Sequence, residues 1–167
     1  MTSERPPSVG DAATVSVIVE VEPTVAFEVF TREIDQWWRR GRAFRGPSNG
    51  AMFLEPHVGG RLLEGHAPDS PTPWLERGRV TVWEPPTRLT LTWRSGNFAP
   101  GEDTEVDVRF EPVGESTRVT VRHSGWAALR PDHPARHGKT GAAMSHEVGA
   151  WWGALFTALR EYLHGRR

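Results

Sequence analysis

RVTVWEPPTRLTLTWRSGNFAPGEDTEVDVRFEPVGESTRVTVRHSGW, residues 79–126, reads as four strand-like runs joined by short turns. In the last two runs Val106, Val108 and Phe110 alternate with Glu105, Asp107, Arg109 and Glu111, while Val119, Val121 and His123 alternate with Arg118, Thr120 and Arg122. Each strand therefore has one apolar and one charged face. Matching the apolar faces with unlike charges opposed sets Phe110 across from Val119, Asp107 from Arg122 and Glu111 from Arg118. A slip of two residues would oppose Arg109 and Arg118, and opposed unlike charges are favoured by up to about 1 kcal/mol. This register puts His123 opposite Val106, on the inner face. The charged pairs then lie outside, where such pairs are worth under about 1 kcal/mol. In the preceding hairpin Leu89, Leu91 and Trp93 mark the inner face. Pro85 and Pro86 leave its partner open: either Val80 and Val82 or Thr81 and Trp83 point inward.

Beyond these strands, Met144, Val148, Trp151, Trp152, Leu155, Leu159 and Tyr162 fall on one stripe of a helix over 144–162, with Ser145 as its N-cap. Ala127 to Gly141, with two Pro, two Gly and alternating charges, reads as a mobile loop or lid. On the N-terminal side, residues 1–12 have the composition of a disordered tail, and a single domain is expected over 13–167. Val15, Val17, Val19 and Val21 predict a strand. Pro23 opens a helix carrying Val25, Ala26, Val29 and Phe30, and a second short helix covers Arg32 to Trp38. Ala51 to Glu55 and Arg61 to His66 are strands joined across Gly59–Gly60, where glycine permits positive φ.

Composition excludes several functions. The formal charge of −1 leaves no basic surplus for nucleic acid. No apolar run approaches the roughly 20 residues of a membrane span, and MTSERPPSVGDA has no signal-peptide core, so a cytoplasmic protein is expected. The absence of cysteine removes disulfides and thiol nucleophiles. Lys139 is the single lysine among 20 basic residues, which reads as coding bias. Arg39, Arg40, Arg42 and Arg45 read as a solvated loop.

Eight tryptophans stand out. Trp37, Trp38, Trp93, Trp126, Trp151 and Trp152 lie on elements expected to meet, and aromatic walls suit a planar ligand. With Phe53, Val108, Phe110, Val121, His123 and Leu155 they form the candidate ligand-binding set. His123 is the polar residue the alternation places inside. It is a candidate general base or ligand partner, weighed against a core histidine satisfied by a neighbour. Glu64 and His66 share a strand face with Leu62, opposite Arg61 and Leu63, and which face points inward stays open. His133 and His137 have metal-pair spacing, but Pro134 and the loop context argue against a site, so no metal is expected. No phosphate loop, nucleophile elbow or dinucleotide fingerprint occurs, and no cofactor is expected.

EPHVGGRLLEGH at 55–66, GRVTVWEPPTRLTLTW at 78–93, TRVTVRHSGW at 117–126 and GAWWGALFTALREYL at 149–163 resemble, in order, the activator-of-heat-shock-ATPase-like (AHSA-type) branch of the START-related helix-grip superfamily, also called SRPBCC. The resemblance implies an α+β fold, a curved antiparallel sheet wrapped around a long C-terminal helix with an apolar pocket between them. Relatives bind lipids, hormones and polyketides, and some cyclise or dehydrate them, so the fold leaves function open. Three readings follow: a binder of an apolar or aromatic small molecule, a polyketide cyclase or dehydratase using His123 as base, and a chaperone accessory acting through its outer surface. The expected partners are an apolar or aromatic small molecule and a second copy in a homodimer, with neither nucleic acid nor membrane.

Overall fold

β1 (Ala13–Val19) is followed by α1 (Pro23–Arg32), α2 (Ile34–Trp37), β2 (Ala51–Leu54), β3 (Arg61–Gly65), β4 (Leu75–Glu84), β5 (Arg88–Trp93), β6 (Thr104–Val113), β7 (Ser116–Ser124) and α3 (Gly141–Gly165). The computed structural model describes residues 11–41, 50–65, 73–94, 98–130, 132–136, 138–139 and 141–166. The seven strands pair antiparallel in one curled sheet, ordered β1-β7-β6-β5-β4-β3-β2, against which α3 packs as expected for a helix-grip.

The β6–β7 register is the one that the charge pattern predicts: Phe110 faces Val119, Asp107 faces Arg122, Glu111 faces Arg118 and Val106 faces His123. The carboxylate of Asp107 nevertheless turns the other way along the sheet. It accepts from Arg88 Nε at 2.8 Å, Thr90 Oγ1 at 2.7 Å and Arg109 Nε at 3.1 Å. Burial pushes this carboxyl up, but the bonds from Arg88, Thr90 and Arg109 outweigh it and hold the group below its ordinary range.

The open phase of β4 has a structural cause. A register shift lies between Val80, paired with Leu91, and Val82, paired with Thr90. Val80 is buried in the core, and past the shift Trp83 meets Phe27 edge-on at 5.1 Å. Both alternatives are thus partly realised, because a bulge inserts one residue and reverses the alternation.

In β2 and β3, Met52 faces Glu64 and Leu54 faces Leu62, with Met52, Leu54 and Leu62 buried. That settles the face of β3: Leu62 and Glu64 point inward. Phe53, expected in the ligand-binding set, points outward and is 52% exposed. The three residues of β2 besides Ala51 are all large and apolar, so its alternation is silent about direction. Gly59 takes the positive φ expected of the turn, at 82°.

α3 is longer than its apolar stripe predicts and begins at Gly141, so Ser145 lies inside the helix rather than capping it. Ala142 and Ala143, strong helix formers, carry the helix back past the stripe. Its buried side chains include Met144, Val148, Trp152, Leu155, Phe156, Leu159 and Leu163. At its far end Tyr162 donates to Glu33 Oε1, and Arg166 pairs with Glu33 at 2.9 Å, tying α3 to the end of α1. Within the segment expected to be a mobile loop or lid, the described residues include two 3-10 turns, Trp126–Ala128 at its start and Pro134–Arg136, with His133 and Arg136 buried. Of the expected N-terminal tail, Asp11 accepts from Ala127 N at 2.9 Å, while residues 1–10 lie outside the described residues.

Candidate functional site

The space between sheet and α3 is occupied by tryptophan rings. Trp38 follows α2 in a turn where Arg39 and Arg40 both adopt left-handed backbone, φ 49° and 65°. Its ring lies 5.4 Å from Trp37 and 5.8 Å from each of Trp93, Trp151 and Trp152. Trp93 and Trp151 are 5.4 Å apart, and Trp151 and Trp152 5.1 Å. These separations fall in the range of favourable offset and edge-to-face pairs. Trp37, Trp38, Trp93 and Trp152 are buried, and Trp151 is partly buried against the same core.

His123 sits beside this cluster with no exposed surface. Trp152 Nε1 donates to its Nδ1 at 3.0 Å, so Nδ1 carries no proton and the neutral ring is protonated on Nε2. That Nε2–H meets Thr104 Oγ1 at 2.7 Å, and the Thr104 hydroxyl donates onward to Trp93 O at 3.1 Å. The chain from Trp152 through His123 and Thr104 to Trp93 uses every polar hydrogen and lone pair of the imidazole. Burial pushes His123 down to about 3. The alternation predicted the inward position, and the partners are those of a satisfied core histidine.

The remaining expected residues divide between two ends of the core. Val108, Val121, Leu155 and Trp126 are buried, with Trp126 4.8 Å from the His123 ring. Phe110 belongs to the α1 end, 5.1 Å from Phe27 and 5.6 Å from Phe30. On the β3 side Glu64 accepts from Arg77 Nε at 2.6 Å, with Arg39 at 3.8 Å. This inward carboxylate is therefore paired with arginine, and His66, its expected partner, lies outside the described residues. So does His137; His133 instead lies 3.3 Å from Glu102 Oε1, next to Arg130. Among the described residues no three His, Cys, Asp or Glu converge as a metal set.

Among the described residues, grooves open elsewhere. One of about 570 Å³ runs between the end of β1 and the end of α3, past Ile18, Val21 and Leu163. Another, about 300 Å³, lies between α1 and the β4–β5 turn. Sequence reasoning missed Thr104 and Arg136. Thr104 continues the inward phase of Val106, Val108 and Phe110 by one step, a signal that could have found it, whereas Arg136 lies in a segment whose composition resembles a solvated loop. Arg136 Nη2 donates to Trp126 O and Leu129 O at 2.5 and 2.6 Å, pinning that segment.

Fold and interior together define a helix-grip protein with an aromatic core. Residues 20–164 match the family model of the Activator of Hsp90 ATPase homolog 1-like proteins, and the chain belongs to that family. No curated protein matches the chain by sequence. Among solved structures it is similar to protein MLL2253 from Mesorhizobium loti, with TM-score 0.64 and 18% identity over 93% of this chain and 98% of that one. It is also similar to an HSP90 activator from Plasmodium falciparum, with TM-score 0.65 and 16% identity over 93% and 97%. DynU16, a putative protein in the dynemicin biosynthetic locus, aligns with TM-score 0.63 and 19% identity over 92% of this chain and 47% of that one. Identities this low establish a shared fold. No described helix is long and apolar enough to cross a membrane.

Proposed function

We propose that the protein binds an apolar aromatic small molecule at the partly buried Trp151 edge of the aromatic core between its sheet and α3, with His123 holding Trp152 in place rather than moving protons. The observation that supports this most is the continuous set of tryptophan rings from buried Trp38, Trp93 and Trp152 to the partly buried Trp151. Such a wall gives a planar ligand large contact area at little entropic cost, because each ring is already held by its neighbours. The cyclase reading asks His123 to accept a proton, and its Nδ1 lone pair is occupied by Trp152. The test is titration with N-phenyl-1-naphthylamine, following tryptophan emission. Saturable quenching is expected, and Trp151→Ala should weaken it several-fold, the value of one aromatic contact. Quenching that never saturates, or that Trp151→Ala leaves unchanged, sinks the reading.

The accessory reading has an observation of its own. On the outer face of β2–β4, Phe53 is 52% and Trp74 37% exposed, with Leu63 directly across from Phe53. Exposed apolar groups clustered in this way mark contact surfaces. The double variant Phe53→Ser with Trp74→Ser should abolish association with a chaperone ATPase if this face is used. Unchanged association in that variant would exclude the face.

A further inference from the structure

The segment after β7 holds two buried donors whose hydrogens go unused. Trp126 and Arg136 are each only 7% exposed, and neither Trp126 Nε1 nor Arg136 Nε has a hydrogen-bond partner among the described residues. The guanidinium spends Nη2 on the carbonyls of Trp126 and Leu129, which fixes its plane against the Trp126 backbone. Among the described residues no carboxylate pairs with it. Glu102, which reaches this segment at His133, is engaged by Arg130, His133 and the backbone N–H of Ala99. An arginine stays charged at any physiological pH. A charge withdrawn from water without a counter-ion is one of the costliest arrangements a fold can hold, and buried charges are as a rule paired. Neutral carbonyls satisfy part of its hydrogen-bonding capacity but none of its charge.

The placement of this corner links it to the tryptophan wall. The Trp126 ring lies 4.8 Å from His123 and 6.5 Å from Phe98, and His123 is bonded to Trp152. The Trp126 ring thus adjoins the interior in which the aromatic ligand is proposed to lie, and Arg136 is bonded to the carbonyl of that same residue. We infer that Arg136 and Trp126 form an anion-binding corner of that interior, and that the ligand is an aromatic carboxylate whose acid group takes the unused N–H of both. Arginine suits a carboxylate because its N–H groups form charge-assisted bonds, stronger than neutral ones. This inference rests on the proposed binding function and specifies the ligand class.

Calorimetric titration of the full chain with 2-naphthoate and with 2-acetylnaphthalene, its neutral counterpart of similar shape, separates the two claims. The carboxylate should bind about tenfold tighter or better, the value of one charge-assisted bond. Arg136→Gln should erase that preference while leaving 2-acetylnaphthalene affinity unchanged. Because Arg136 also pins its own segment, thermal melting must show the variant folded. Trp126→Phe, which keeps the ring and removes only the N–H, provides the second test and should lower naphthoate affinity several-fold. Equal affinity for the two probes, or a naphthoate preference that survives in folded Arg136→Gln, overturns the anion corner and leaves the aromatic binder standing. Binding of neither probe removes both.

Discussion

Replacing His123 with glutamine removes the only titrating group in the Trp152–His123–Thr104 chain and isolates its contribution to stability. In the folded protein burial pushes His123 down to about 3, whereas an exposed histidine in the unfolded chain titrates near about 6.5. Between those values the unfolded chain binds a proton that the folded chain refuses. The stability from His123 is therefore complete above about pH 6.5 and is lost as pH falls toward 3. The slope approaches about 1.4 kcal/mol per pH unit, so acidification from pH 7 to 5 should cost wild type about 2 kcal/mol more than the variant. At pH 7 the variant should be weaker by about 1–3 kcal/mol, since Trp152 Nε1 loses its acceptor in a dry site. Urea unfolding of both proteins at pH 7, 6 and 5 measures the difference, and the other histidines cancel. A wild-type minus variant difference that stays flat across this range would refute the account of His123 as a neutral, buried link.

Leu159 is fully buried under the sheet, and Leu159→Ala should cost about 2–5 kcal/mol by chemical denaturation; a loss below about 1 would mean that α3 is not gripped as described. Asp107→Asn should cost about 1–3 kcal/mol at pH 7, more than an exposed pair, because three donors converge on a carboxylate only 14% exposed. With the folded pKa of Asp107 lowered, that contribution is present above the ordinary carboxylate range and lost as pH falls through the folded value. A neutral outcome at pH 7 would show that the Arg88 and Arg109 bonds are solvent-screened. At Gly65 an added Cβ would stand 2.5 Å from the Trp74 ring, so Gly65→Ala should lift Trp74 off the sheet and red-shift its emission; an unchanged spectrum contradicts this packing.

What the sequence by itself determined is what local alternation and charge can express. β6 and β7 each carry one apolar and one charged face, and that sufficed for their register and for the inward turn of His123. The periodic stripe from Met144 to Tyr162 sufficed for the existence of α3, though not for its start at Gly141, which no apolar residue marks. Where alternation fails, so does the reading. β2 is too uniformly apolar to show that Phe53 faces out, and the bulge at Val80–Val82 makes β4 obey both phases in turn. The site depends on contacts that only chain closure creates. Trp152 reaches His123 from 29 positions away, Thr104 from 19, and Arg136 is buried because its Nη2 finds carbonyls at Trp126 and Leu129. A strand pattern encodes which side of the sheet a residue faces, since that depends on its immediate neighbours. Which group it meets there, and whether a base is free or bound, is decided by elements distant in the chain and adjacent in the fold.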